Sequence, residues 1–273
     1  MIDLSDILRD FCLAEGEVLR IDGSPTMPYA SINPRQLLVE VARGASARLV
    51  VLHATPEVSS LRIVLAEEAQ LEVVELFTAE AFVEVDLSQA AHSSCRVTTI
   101  ELSSAQAVYT INLDGALAEN RFGGLFLLSG KEHGVVKLRT NHNVSDCRSD
   151  SAIKGVAGGS AVGEFYGLVY VAPDAQRTDA RQQSRNVLLG DTARIITRPQ
   201  LEIYADDVKC SHGATVGQMA SDAILYMRQR GLSEVQARRL QIEGFAGDIV
   251  HQCGIDELAE ALMAHVAAKM DKL

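Results

Sequence analysis

From about Leu37 the chain alternates apolar and polar residues in short runs, among them "LLVEVARGASARLVVLHA", "LRIVLAEEAQLEVVELF", "FVEVDLSQAAHSSCRVTTIEL" and "AVYTINLDGALAENRFGGLFLL". Such alternation is the signature of strands with one buried face. Each run bends through a polar turn that ends in a small residue. With Ala45, Ala69, Ala91 and Ala116 as landmarks, the turns recur at 24, 22 and 25 residues. A strand-and-turn period of that size predicts a stacked β-solenoid. A face-packed sandwich also uses many short strands and is the competing all-β reading. The strands continue through "GVVKLRTNHNV", "EFYGLVYVA", "ARIITRPQLEIYA" and "DVKCSHGATVG", which places the end of the solenoid near Gly217.

After Met219 the period changes. "SDAILYMRQRG" has helical apolar spacing and a glycine stop, and "SEVQARRLQIEGFAGDIV" opens with Ser233 and Gln236 in capping-box spacing. In "IDELAEALMAHVAAKMDKL", Leu258, Leu262 and Val266 fall on one stripe, with acids first and lysines last. The expected organisation is a lead-in and linker over residues 1–35, with helical tendency at its start. A parallel β-helix core follows over 36–217, then a helical domain over 218–273.

Charge and composition narrow the function classes. A net charge of −11 argues against a nucleic-acid partner, which needs a clustered basic face. The five cysteines show no CxxC spacing, and the N-terminus lacks a basic region followed by an apolar one. This reads as a cytoplasmic chain with reduced thiols. No apolar run reaches the length of a membrane span.

The candidate chemistry lies in "YADDVKCSHGATVG". Read as a strand, it puts Asp206, Val208, Cys210 and His212 on one face. A thiol beside an imidazole suits iron, zinc or copper, but two ligands do not complete a site. The alternative is a cysteine packed in the solenoid and a histidine at a turn. His142 and Cys147, five residues apart, are a second and weaker ligand pair, and "DAQRTDARQQSRN" reads as polar ladders between rungs. His53, His92, His133, His251 and His265 have no partner spacing and read as surface or packing residues. No Walker motif is present, so ATP hydrolysis would have to come from a partner.

The run "RPQLEIYADDVKCSHGATVGQ", with "GEFYGLVYVAPDAQRTDARQQSRNVLLG" before it and "LYMRQRGLSEVQARRLQIEGFAGDIV" after it, resembles the SufB/SufD family of SUF iron–sulfur cluster assembly scaffolds. The resemblance implies an all-β right-handed parallel β-helix with a small α-helical unit. It also implies a non-enzymatic scaffold acting with a SufB-like protein and a SufC-like ABC ATPase. SufB-type chains carry a cysteine where this chain has Ser184, and His-Glu where it has His212-Gly213, so the chain is most like SufD. His212, with Cys210 secondary, is then the cluster-assembly residue. A transient cluster or iron would be shared with the partner, with none bound stably. Two other classes are weighed: a homodimeric structural or interaction β-helix, and a carbohydrate-acting β-helix enzyme. The second needs paired carboxylates on one face, whereas Asp206 and Asp207 in a strand point to opposite faces.

Overall fold

A computed structural model describes Leu4, Leu8–Ala14 and Gly16–Leu273. The helical tendency of the first residues falls mostly outside these. Among the described residues, seventeen strands alternate between two sheets. The odd-numbered strands form a nine-stranded sheet from β1 (Cys12–Leu13) to β17 (Lys209–Gln218). The even-numbered strands form an eight-stranded sheet from β2 (Val18–Ile21) to β16 (Arg194–Ile203). Every neighbouring pair is parallel, as in β6 (Glu57–Leu65) with β8 (Ala81–Gln89) and β15 (Asp179–Leu188) with β17. The chain is therefore a parallel β-solenoid, and the antiparallel sandwich is excluded.

Strands β1, β2 and β3 (Tyr29–Ile32) lie within the segment read as a lead-in, and all join the sheets. They are two to four residues long, too short for alternation to register.

The repeat is set by a corner rather than by the strands. Gly44, Glu68, His92, Leu117, Asp146 and Arg177 all have φ between 58° and 66° and occupy equivalent turns. The amide of one corner reaches the next coil, as in Glu68 to the Ala91 carbonyl and Arg177 to the Asp207 carbonyl. The residue after each corner points inward and is buried: Ala45, Ala69, Ser93, Ala118, Cys147 and Thr178. The landmarks Ala91 and Ala116 thus sit two residues early. The offset between paired residues is 24 from Glu57 to Ala81, 29 from Ala105 to Gly134, and 32 from Val162 to Arg194.

Between the sheets, inward residues of alternate parity interlock in one core, with Leu49, Val73, Val97 and Phe122 from the odd sheet and Ile63, Leu87, Ile111 and Leu138 from the even. The odd sheet is also apolar on its outer face, which explains continuous runs such as "RLVVLH" and "LFLL". That face is covered by helices α2 (Glu234–Val250) and α3 (Asp256–Met270). Ile242, Ala246, Ile249, Leu258, Leu262 and Val266 pack with Val50, Leu52, Val74, Leu76, Ile100 and Leu125. The expected capping box is present, with Gln236 N–H donating to Ser233 Oγ and Ser233 N–H to Gln236 Oε1. The helices lie along the flank of the coil, so they do not close its end. Helix α1 (Ser221–Gln229) buries only Ile224 and leaves Leu225 and Tyr226 more than half exposed. Among the described residues no helix is long and apolar enough to cross a membrane.

Candidate functional site at the open end

β17 pairs with β15 on one edge, and no described strand pairs with the other. Cys210 is in register with Ala180, and His212 with Gln182. Both partners are buried and inward-facing, so Cys210 and His212 share one face, as strand parity predicted, and that face turns to the coil axis. What parity does not reveal is that no further coil lies above them. Cys210 is half-buried against Val169, Val171, Ala175 and Ala180, and His212 is exposed.

Asp206 and Asp207 depart from the expected strand. They lie in a bend before β17, where the Asp207 amide accepts the corner role by donating to Gln176 Oε1 at 2.9 Å. The repeating corner claims these residues, so they share no strand face with His212. Burial, together with the charge of Asp179, pushes the Cys210 thiol up, offset in part by a backbone bond from Ala180. The group at neutral pH is thus a thiol, and a metal would have to displace its proton.

The coil beneath this rung is polar and incompletely paired. Gln182 is fully buried, yet neither atom of its amide has a partner, and Asn186 Oδ1 and Thr197 Oγ1 are likewise unpartnered. A buried amide without partners costs roughly 1–3 kcal/mol, so this end of the coil is poised to gain hydrogen bonds. Asn186 does donate to Ser184 Oγ and to the Thr215 carbonyl, at 2.9 and 3.1 Å. Around the rim, Ile203, Tyr204 and Val216 are exposed. Among the described residues no group of three His, Cys, Asp or Glu is placed to hold a metal ion. Cys210 and His212 are therefore at most half of a metal site.

The second ligand pair separates. His142 is buried and bonds Ser149 Oγ at 2.8 Å, while Cys147 fills a corner with its sulfur 3.3 Å from the Gly115 carbonyl. Burial pulls His142 down to about 4. A rung-to-rung polar contact of the expected kind is present in that stretch, at Arg177 to Asp146 (2.6 Å to each oxygen), and another outside it, at Asn141 to Asn112 (2.8 Å). His53, expected as a surface or packing residue without a partner, has two. His53 is buried with Glu57 at 2.5 Å on Nδ1 and Glu75 at 2.9 Å on Nε2. Its signal was the charge of Glu75 inside the apolar run "VVELF", about one coil after His53.

These features define a class: an open-ended parallel β-solenoid that presents a cysteine and a histidine on an uncovered last coil. Residues 26–245 match the family described as SUF system FeS cluster assembly, SufBD core domain. The chain belongs to that family. It is 37% identical over 158 residues to the iron–sulfur cluster assembly protein SufD of Escherichia coli K12, covering 58% of this chain and 37% of that protein. It is 32% identical over 193 residues to an iron–sulfur cluster assembly SufBD family protein of Synechocystis, covering 67% and 41%. A third relative, protein ABCI7, chloroplastic, of Arabidopsis thaliana, is 37% identical over 111 residues, covering 41% and 23%. The matched region thus spans about two fifths of the first two relatives.

Proposed function

We propose that the chain is a SufD-like scaffold whose open end closes against a SufB-type partner and there supports iron–sulfur cluster assembly. The observation that carries this reading is His212 on the last, uncovered coil, in register with the buried and unpartnered Gln182. A rim of exposed apolar residues around unsatisfied polar atoms is the composition of an interface missing its other half. Iron or a nascent cluster is cargo here. The imidazole and the thiol supply two ligands, and the partner supplies the others. ATP hydrolysis belongs to a SufC-like partner, and the exposed Leu225, Tyr226, Val235 and Leu240 of α1 and early α2 form the apolar surface on which it docks. The working location is the cytoplasm.

The test is anaerobic co-purification with SufB- and SufC-like partners, for the wild type and His212→Ala. The variant is expected to assemble the complex with unchanged thermal stability and to form fewer clusters. Normal cluster formation by the variant would refute the role of His212 and leave a polar strand at a solenoid end.

A further inference from the structure

Glu101, at the end of β9 (Ser94–Glu101), points into the coil between Phe77 and Phe126 of the adjoining rungs. It is fully buried, and neither carboxylate oxygen has a hydrogen-bond partner. The enclosure is tight, since a Cβ on Gly134 would lie 2.7 Å from Glu101 Oε2. Among the described residues no cation is paired with it, and the titratable groups around it are already committed to one another. Glu75 on β7 (Gln70–Phe77) accepts from His53 on β5 (Ser46–His53) and from the hydroxyl of Tyr109 on β10 (Ala105–Leu113). His53 faces Glu57 on β6 with its other nitrogen and stacks on Phe77 at 4.7 Å. Both nitrogens of His53 face carboxylates, an arrangement that favours the imidazolium. Its single positive charge is spent on Glu57 and Glu75, so nothing remains to balance an ionised Glu101.

We infer that Glu101 is kept as a neutral carboxylic acid, which makes the fold lose stability as pH rises above the ordinary carboxylate range. An isolated ionised carboxylate in an apolar enclosure costs far more than a proton does, and the neighbouring Glu75 charge adds to the cost. Burial first, then Glu75, act in the same direction on Glu101, holding it well above the usual carboxylate range. Burial pulls His53 down, but the bonds and charges of Glu75 and Glu57 outweigh it and leave His53 raised. Ionisation of Glu101 would loosen the strand whose outward Ile100 helps seat the helical unit. Glu57, at the coil corner, is the member of the network that lines a surface groove with Arg35, Glu80 and His133.

The sign follows from proton uptake. The folded state holds a proton on Glu101 that the unfolded chain releases above about pH 4.5, so stability falls as pH rises from there. Infrared spectra of the wild-type chain in D2O should show a protonated carboxylic acid carbonyl band at pH 7, lost in Glu101→Gln. The folding constant of the variant relative to wild type should rise with pH above about pH 5, by up to about tenfold per pH unit, with near parity at about pH 4. Absence of the band from the wild type at pH 7 would overturn the inference even if the variant failed to fold, and so would a pH-independent ratio.

Discussion

Lys154, on the outer face of β13 (Arg148–Ala157), donates to the Phe245 carbonyl at 2.8 Å and to Asp248 at 2.5 Å, both on α2, with its ammonium 4.8 Å from the Phe245 ring centre. The lysine side chain is 10% exposed, whereas Asp248 is 66% exposed. Loss of the lysine therefore removes two charge-assisted bonds from a nearly closed site, while Asp248 can turn to water. Lys154→Met should destabilise the fold by about 2 kcal/mol, and Lys154→Arg by less, because hydrogen bonds to charged groups contribute on that scale. Urea unfolding followed by circular dichroism measures both.

The helical unit cannot be removed to test partner docking. Deleting residues 219–273 would expose Val50, Leu52, Val74, Leu76, Ile100, Leu125, Leu127 and Val156. At roughly 1.5 kcal/mol or more each, that is on the order of 10 kcal/mol, comparable to the whole stability of a domain. Leu225→Asp with Tyr226→Asp is the better variant, since both side chains are already exposed. We expect unchanged melting and loss of co-purification with the SufC-like ATPase. Undiminished binding would move the docking site elsewhere.

Gly167 on β14 (Val162–Val171) leaves room for Gln182, because an added Cβ would lie 2.5–2.6 Å from its amide atoms. Gly167→Ala should cost about 1–3 kcal/mol through overpacking. Gln182→Ser should recover most of that loss in the double variant. Thermal melts of the two single variants and the pair give the coupling, and additive losses would show that the clash is relieved elsewhere.

His142, held down to about 4 by burial, destabilises the fold in acid. Between pH 6.5 and 4 the unfolded chain takes up a proton that the folded chain refuses, so stability is lost as pH falls through that window. The full loss is on the order of 3 kcal/mol. His142→Gln keeps a polar atom for Ser149 and should flatten the acid limb of the stability profile. An unchanged limb would assign acid sensitivity to other groups.

Alternation made the strands and their inward faces legible, including the shared face of Cys210 and His212, and the Ser233–Gln236 pair gave the start of α2. The corners were less so. Of the six left-handed corner residues only Gly44 is a glycine; Glu68, His92, Leu117, Asp146 and Arg177 carry no such mark, being held there by the bonds of the stack. Inward polar residues were also opaque. His53 and Glu75 meet across 22 residues, and nothing local distinguishes an inward glutamate that is paired from Glu101, which is not. Likewise, strand parity orients His212 but is silent on whether a coil covers it.

The lengthening offset from 24 to 32 residues has a geometric result. Odd strands grow from eight residues in β5 and β7 to ten in β13, β15 and β17. At about 3.3 Å per residue, a coil side widens from about 26 Å to about 33 Å. The molecule is tapered, with its broadest cross-section at the end that carries His212. Any body seated there meets the largest outline the chain offers. A partner whose own terminal coil is equally broad would match it rim to rim, whereas among the described residues the opposite end begins with the two-residue β1. The taper thus gives the solenoid a direction, and end-to-end assembly a preferred sense.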